Sequence, residues 1–469
     1  MMHLPAILYN ISKTLKVKGA KAVVVGGSVR DHFLDLPIKD YDIEVYGLEN
    51  LEALEKVLSG FGSVNLVGKS FGVLKFVYEN KEYDFSFPRM ESKTGIGHRG
   101  FDVTVDGTLD FKTAAKRRDF TVNAMGYDIE AKRFLDPFNG REDIQKKMLR
   151  HIDDNSFIED SLRVYRAVQF TARFGYALAE ETKQLCQHMV KKRMLEELPK
   201  ERVYAEWKKL LLKSEQPSTG FVLMRSLGVL RYFPELEAII DVPQSPKWHP
   251  EGDVWTHTMM SLDAMVNLCR SGCPHPDNQN EEKEKLKLLF AILCHDLGKA
   301  VSTGLDEKGD IRSIGHEETG VGLTSSLLYR LTEEHDFIAS ILPLVKYHAE
   351  PSHFYSGGAK NAAVRRLATK VNIGELVLVA KADFLGRTAE SAQRGIYEAG
   401  EWLLEKAKYL KVEHKPLDNL LQGRDLIALG ITPSPQFKKI LDEVYLLQLE
   451  DVLQSKEEAI RYVQKNHIE

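Results

Sequence analysis

The pattern of apolar residues changes character once along this chain, and that single change limits the folds open to it. Up to about residue 145 short β patterns alternate with turn signals; from about 146 onward some 320 residues read as almost continuous helix. In the first part KAVVVGG is a buried-strand run closed by glycines, YDIEVYG alternates, VLKFVYE follows a glycine-rich turn, and YDFSF alternates again before Pro88. In the second, SFIEDSLRVYRAVQFTARFGY, ERVYAEWKKLLL, LKLLFAILCHDLGKA and FIASILPLVKYHA repeat apolar residues at helical spacing. Ser156, with Glu159 three residues on, predicts a capping box at the start of the first of these helices. Two polar stretches interrupt the pattern. The segment 86–112 predicts a long mobile loop, and 269–285 a solvated loop between helices.

A chain of 469 residues exceeds what one core usually supports, so roughly three domains are expected. The expected division is an α/β head over 1–145, a helical neck and body over 146–240, a second all-α domain over 241–390, and a helical tail over 391–469. The head is expected to be a small mixed sheet with helices. No window approaches 18 consecutive apolar residues, which excludes a membrane span, and MMHLPAILYNISKTLK lacks the features of a signal peptide. Cys186, Cys269, Cys273 and Cys294 are too few for a disulfide framework, so the expected location is cytoplasmic. The formal net charge of −4 excludes a bulk polyanion binder. Contact with nucleic acid then falls to local clusters: Lys112 to Arg118, then Arg163, Arg166 and Arg173, then Lys191, Lys192 and Arg193.

The first chemical constellation lies in the head. Gly26-Gly27-Ser28 closes a strand and Asp40-Tyr41-Asp42 opens the next. Side chains on a strand repeat with a period of two, so Asp40 and Asp42 share a face and suit one or two Mg²⁺ ions beside a triphosphate. The glycines let backbone N–H groups approach phosphate, and Asp84 offers a third carboxylate from a neighbouring strand. The triplet Gly68-Lys69-Ser70 is no P-loop, because its spacing is wrong and a strand follows it. Further on, Arg117 and Arg118 suit phosphates, and Asp119 suits a sugar hydroxyl.

In order, GGSVRD…DYD, RRDFTVNAM, DPFNGREDI, IEDSLRVYRAVQFTARFGY and ELPKERVYAEWKKLL resemble the class II tRNA nucleotidyltransferases, the CCA-adding enzymes, whose head bacterial poly(A) polymerases share. The resemblance covers essentially the whole chain. It implies a polymerase-β-like head, Mg²⁺ on Asp40 and Asp42, and nucleotide binding by Gly27, Ser28, Arg30, Arg89, Arg118, Asp119, Asn123, Arg166 and Arg173. It places base selection on Glu159, Asp160 and Arg163. Asp160 and Arg163, three apart on one expected helix face, offer an acceptor beside a donor; cytosine and adenine match that pair, whereas uracil and guanine present the reverse. The implied reaction is attack of a tRNA 3′-hydroxyl on the α-phosphate of CTP or ATP. The 86–112 loop, with Glu91 and Arg99, is where the family keeps the element that switches from C to A. Its length favours full CCA addition over CC addition. The acceptor stem is expected along Lys191, Lys192, Arg193 and Lys208 by phosphate and shape contacts.

The second constellation is helical. His249 and His257 in WHPEGDVWTH, His295-Asp296 in LCHDLGK, His316, His348 and Asp383 are spread over successive helices, as a metal site in a bundle core requires. Their order resembles the HD phosphohydrolases, which implies His257, His295, Asp296, His316 and Asp383 as ligands of a transition metal such as Ni²⁺ or Mn²⁺. His249 is set apart as a structural neighbour, and Cys294 as a buried small hydrophobe. The resemblance also implies phosphatase and 2′,3′-cyclic phosphodiesterase activity. The expected partners are the tRNA 3′ end, CTP and ATP, with the protein a monomer or homodimer and no membrane involved. The alternatives are A-adding or CC-adding specificity, a poly(A) polymerase, or a hydrolase with an inactive head. Against the polymerase stand the absent basic tail and the HD pattern.

Overall fold

The computed structural model describes residues 1–65, 72–93, 101–105, 107–271 and 281–468. The Gly68-Lys69-Ser70 triplet, Arg99, Cys273 and most of the 269–285 stretch lie outside the described residues. Two compact units divide the chain, Met1–Val229 and Leu230–Glu469.

The first unit is built on β1 (Lys21–Val25), β2 (Tyr41–Tyr46), β3 (Ser63–Asn65), β4 (Val73–Tyr78) and β5 (Lys81–Ser86), then β6 (Arg89–Lys93), β7 (Phe101–Val105), β8 (Gly126–Asp128) and β9 (Arg133–Leu135). Seven of them form one mixed sheet in the order β3-β4-β5-β2-β1-β8-β9, antiparallel except where β2 runs parallel to β5. The apolar run of β1 sits inside this sheet and is covered on both faces, which is why it reads as continuous rather than alternating. On one face Ala22, Val24, Ile43 and Val45 pack under α1 (Ala6–Val17), α2 (Gly27–Phe33) and α3 (Leu51–Leu58). On the other, Val23, Val25 and Tyr46 pack with Ala114 and Phe111 of α4 (Phe111–Lys116). Asp42, Glu44 and Tyr46 share that second face by strand periodicity, and the parallel register sets Asp42 beside Asp84.

The helical wall of this unit follows: α5 (Gly140–Gln145), α6 (Asp154–Glu159), α7 (Leu162–Phe174), α8 (Glu180–Lys191), α9 (Lys200–Lys213) and α10 (Ser218–Leu227). Between them β10 (Met148–Leu149) and β11 (Ala177–Leu178) make a two-strand parallel ladder.

In the second unit come α11 (Pro234–Glu237), α12 (Val254–Arg270), α13 (Glu281–Cys294), α14 (Lys299–Ser302), α15 (His316–Leu331), α16 (His335–Tyr347), α17 (Glu350–Ser356), α18 (Asn361–Ala368) and α19 (Ile373–Leu385). The antiparallel pair β12 (Thr303–Leu305) and β13 (Ile311–Ser313) leads into α15. From Leu286 to Cys294 every residue of α13 is buried, with α12, α16 and α19 around it. Beyond α20 (Glu390–Gln393), α21 (Glu398–Tyr409) lies against α17, α18 and α19. A separate small core joins α22 (Gly423–Ala428), α23 (Gln436–Leu449) and α24 (Lys456–Val463) through Leu426, Ile440, Val444 and Val463. Among the described residues no helix is long and apolar enough to cross a membrane.

Three expectations need correction. The 86–112 stretch contains a hairpin, with Arg89 opposite Val105 and Lys93 opposite Phe101, because RMESK and FDVTV are strands masked by polar neighbours. The helix expected from Ser156 through Tyr176 is two helices. Asp160 is extended (φ −119°, ψ 98°), and its carboxylate accepts from the Leu162 N–H at 3.2 Å, a local bond that breaks the helix while the apolar period runs on. Asp160 and Arg163 therefore do not share a helix face. The capping box is also absent: Asp153 caps α6, accepting from the Ser156 N–H at 3.0 Å, and pairs with Lys116 at 3.1 Å. Accordingly Asp153→Ala is expected to weaken α6 by ~1 kcal/mol, read as an about fivefold faster amide exchange in that helix of the full chain. Ser156→Ala should change it by less than half as much.

Candidate active sites

A cleft of about 480 Å³ in the first unit gathers Gly26, Gly27, Arg30, Asp42, Arg117, Arg118, Asp119 and Asn123 with Asp160, Leu162, Arg163, Arg166, Phe170 and Arg202. Six guanidiniums facing three carboxylates make it a site for a polyanion. Gly26 turns from β1 into α2 at φ +70°, and a Cβ there would meet the Arg118 Nη1 at 2.9 Å. Only glycine permits both.

The cleft arginines are fixed from behind. Buried Glu44 accepts from Arg118 at 2.8 Å, from Arg117 at 3.3 Å and from the Tyr46 hydroxyl at 2.7 Å. Burial alone would raise the Glu44 carboxyl, but these donors outweigh it and hold it below the usual range. Asp119 accepts from the Phe120 N–H at 2.8 Å, Asn123 Nδ2 at 3.0 Å and Arg166 Nε at 2.7 Å. Burial opposes its charge, and Arg166 and Asn123 overcome that. Asn123 in turn accepts from Arg30 at 2.7 Å, and Arg30 pairs with Asp31 at 2.6 Å. Arg30 lies 4.8 Å from the Phe174 ring, and Arg166 lies 5.1 Å from that of Phe170. In contrast, Asp42 sits above the usual carboxylate range: desolvation in the cleft raises it, Arg118 pulls the other way, and Asp84, Asp40 and Glu44 add to the rise.

Asp160 and Arg163 both line the cleft. Arg202 Nη2 holds Asp160 at 3.0 Å, and Arg163 donates to the carbonyls of Ser156 (2.8 Å) and Arg117 (2.6 Å). Of the expected residues, Ser28, Asp40, Arg173 and Glu159 do not line the cleft. Ser28 donates its hydroxyl to the Asp40 carbonyl at 2.8 Å, and Asp40 stands exposed just ahead of β2. Arg173 stacks on Phe174 at 4.9 Å, and Arg89 opens β6. Glu159 ends α6. Arg202, Phe170, Leu162 and Glu44 were not singled out by sequence; Arg202 stands within the ELPKERV motif and could have been. As for Mg²⁺, Asp42 and Asp84 stand side by side in the parallel register as hard-oxygen donors, and the buried Asp84 Oδ1 has no hydrogen-bond partner among the described residues. The residues fit the ion.

The second unit assembles the other constellation. His257 Nε2 lies 2.9 Å from Asp383 Oδ1 and 3.8 Å from Asp296 Oδ2, and His295 Nε2 lies 3.2 Å from the latter oxygen. Asp296 Oδ1 faces His316 Nε2 at 3.4 Å and His348 Nε2 at 3.9 Å. Three histidines are set by the same local device: Nδ1 of His295, His316 and His348 donates to the carbonyl three residues earlier, at 2.7, 2.8 and 2.7 Å. His257 Nδ1 donates instead to Glu251 at 2.8 Å, which also accepts from His249 at 2.9 Å. Every Nε2 therefore points inward. Among the described residues the buried His295 Nε2 and Asp296 Oδ1 have no hydrogen-bond partner, as atoms meant for a metal would not. Imidazoles with two aspartates suit a transition metal. His348, set beside the expected ligands, stands among them, and burial together with His295 pushes it down to about 3. Against the cost of burial, His295 and Lys299 hold Asp296 well below the usual range, and Arg387 does so for Asp383.

His249, His316, Lys299 and Arg387 also line a cavity of about 1090 Å³ beside this cluster. Glu251, Lys299 and Arg387 were not singled out from the sequence, although Lys299 ends the HDLGK motif and Arg387 follows Asp383 by one helical turn.

Three family models match the chain: a poly A polymerase head domain over residues 22–150, a probable RNA- and SrmB-binding site of polymerase A over 175–240, and an HD domain over 254–387. The multifunctional CCA protein of Pseudoalteromonas atlantica is 34% identical over 376 residues, covering 78% of this chain and 85% of its own. The Bacillus stearothermophilus CCA-adding enzyme in complex with CTP superposes with a TM-score of 0.64 at 20% identity, covering 98% and 97% of the two chains. The Thermotoga maritima CCA-adding enzyme complexed with tRNA gives 0.60 at 19% identity, covering 99% and 96%. Those two share the fold of this chain.

Asp119→Asn is expected to destabilise the first unit by about 3 kcal/mol at pH 7 in urea unfolding, because Arg166 loses its buried counter-charge. Folding lowers the Asp119 value. Its contribution is therefore complete above the unfolded carboxylate value of about 4 and is lost as pH falls through the lower folded value. The variant and the native chain should converge in acid.

Proposed function

The chain belongs to the multifunctional CCA protein family, and from that premise we propose that it adds C, C and A, without a nucleic-acid template, to the 3′ end of tRNA from CTP and ATP, releasing pyrophosphate. The observation that carries this reading is the convergence of Gly26, Gly27, Asp42 and Asp160 with six arginines, Arg163 among them, in one cleft. Mg²⁺ on Asp40 and Asp42, with Asp84 alongside, would neutralise the triphosphate and make the attacking hydroxyl more acidic.

The rest follows from the chain's own groups. Arg117 and Arg118, braced on Glu44, and Arg166, braced on Asp119, bind the triphosphate without reorganising when charge develops. Asp160 accepts the amino group of cytosine or adenine, and Arg163 donates to the neighbouring ring nitrogen. Uracil and guanine would set a carbonyl oxygen against the carboxylate and an N–H against the guanidinium, leaving both unpaired. Arg202 holds the carboxylate in position. The tRNA acceptor stem lies along Lys191, Lys192, Arg193 and Lys208, within or beside the helices that the RNA-binding model matches. The 86–112 segment, which carries the β6–β7 hairpin, serves the change from C to A.

The second unit is a metal-dependent phosphatase and 2′,3′-cyclic phosphodiesterase. A Ni²⁺ or Mn²⁺ ion held by His257, His295, Asp296, His316 and Asp383 would polarise the phosphoester and generate hydroxide. Lys299 and Arg387 border the cluster where they can hold the phosphate. One protein would then trim a damaged tRNA end and rebuild it.

With Mg²⁺ and a tRNA ending at the discriminator base, CTP alone should give two added residues, and CTP with ATP should complete CCA. A long A ladder would instead make the protein a poly(A) polymerase, and no extension would leave the head inactive. Asp160→Ala or Arg163→Ala should lower kcat/KM for CTP and ATP about 100-fold. His295→Ala and Asp296→Ala should abolish phosphodiesterase activity without affecting nucleotide addition. Binding of tRNA should weaken steeply with salt, and a flat profile would count against the basic face.

A further inference from the structure

Of the four imidazoles that turn Nε2 into the histidine–aspartate cluster, three are held by a backbone carbonyl and one is not. At His257 the carbonyl three residues back, that of Val254, accepts from the Thr258 hydroxyl at 2.8 Å. The His257 Nδ1 proton goes instead to Glu251 Oε1 at 2.8 Å, an anion in place of a neutral dipole. The chain is shaped to bring that anion there. Gly252, at φ +121°, donates its N–H to the His249 carbonyl at 3.3 Å, a backbone that favours glycine. Asp253 then caps α12, accepting from the Thr256 N–H at 3.0 Å. The Glu251 side chain is left 1% exposed, and Oε1 also takes the His249 Nδ1 proton at 2.9 Å. Its other oxygen reaches a different element. Oε2 accepts from the Thr388 N–H at 3.1 Å and from its hydroxyl at 3.5 Å. Thr388 directly follows Arg387, whose Nη2 lies 3.0 and 2.9 Å from the two oxygens of Asp383. Asp383 Oδ1 in turn faces His257 Nε2 at 2.9 Å. One buried carboxylate therefore holds both partners of the His257–Asp383 pair, the imidazole from behind and the segment that ends α19.

We propose that Glu251 is the positioning residue of the second site: it fixes His257 as the Nδ1–H tautomer, strengthens Nε2 as a donor, and keeps Asp383 set against it. It acts through His257 rather than on the ion, and affinity for the ion depends on it. This rests on the metal-dependent reading of that site and names the residue that sets its affinity. Glutamine cannot replace it. An amide of the same shape must turn its N–H₂ either to the two imidazole N–H groups or to the Thr388 N–H, donor against donor.

The test is a calorimetric titration of the full-length protein with Ni²⁺, in excess Mg²⁺ so that the carboxylates of the first unit stay occupied. Glu251→Gln should weaken Ni²⁺ binding about 30-fold. Glu375→Gln is the comparison: it removes another buried carboxylate, one that accepts from Lys287 at 2.6 Å on the same helix as Asp383, and should stay within about twofold of the native affinity. No loss in Glu251→Gln, or an equal loss in both variants, would overturn the role. Glu251→Asp keeps the charge on a shorter arm and should bind Ni²⁺ at least about threefold tighter than Glu251→Gln; equal affinities would overturn it too. A spectroscopic signature separates positioning from loosened packing. In the Co²⁺-loaded native protein the hyperfine-shifted imidazole N–H protons should be visible by NMR, and Glu251→Gln should lose the His257 signal to solvent exchange while keeping those bonded to carbonyls. Retention of every signal would overturn the proposal. Tight Ni²⁺ binding that depends on Glu251, without phosphodiesterase turnover, would keep the role and refute the hydrolase reading. No Ni²⁺ uptake by the native protein would refute the metal reading and the role with it.

Discussion

The buried Asp119 carboxylate is the point on which the nucleotide cleft depends. It joins a line of hydrogen bonds and ion pairs that runs from Asp31 through Arg30, Asn123 and Asp119 to Arg166, with Glu206 4.0 Å beyond. These residues come from α2, the turn after α4, α7 and α9. A buried charge is tolerated only when paired and hydrogen-bonded, so each member of the line requires the next. The consequence is positional: Arg30 and Arg166 cannot fold back onto solvent, and the sheet and the helical wall present one rigid arginine surface. Like charges so close together would repel. Glu44 and Asp119 behind them remove part of that repulsion and leave enough net positive charge for a triphosphate.

Much of this was legible in the residues, for identifiable reasons. The sheet could be read because β1 is continuously apolar and buried on both faces, while β2 alternates because one of its faces carries Asp42, Glu44 and Tyr46 towards the cleft arginines. The histidine–aspartate cluster could be read because its residues are chemically distinctive and fall one or two to a helix or to the turn that follows it. Where sequence reading failed, a tertiary or local hydrogen bond decided the outcome. Apolar periodicity continues through Asp160, so the break between α6 and α7 is invisible until the Asp160–Leu162 bond is seen. The hairpin of β6 and β7 lacks a strong apolar alternation. Arg202, Glu251 and Arg387 resemble solvated surface charges in one dimension; each gains its role from a carboxylate or imidazole that the fold brings close.

Asp160 and Arg163 are held by different parts of the fold. On one helix face they would lie one turn apart, where an intrahelical salt bridge is the ordinary arrangement. The break at Asp160 changes that setting: the carboxylate leans on Arg202 and the guanidinium on two carbonyls. Under the base selection proposed above, each group is thus positioned by its own partner and meets its half of the Watson–Crick edge separately.

The two centres also show how secondary structure sets donor chemistry. Strand periodicity and parallel register bring Asp42 and Asp84 side by side next to a glycine turn, and carboxylates crowded in this way suit a hard ion that keeps part of its water. In the other centre the ligands' own local backbone orients the imidazoles. At His295 and His348 a carbonyl in the last turn of the preceding helix takes the Nδ1 proton, and at His316, which opens α15, the Ser313 carbonyl of β13 does so; each turns Nε2 inward. Nitrogen donors fixed in this way favour borderline transition metals over Mg²⁺.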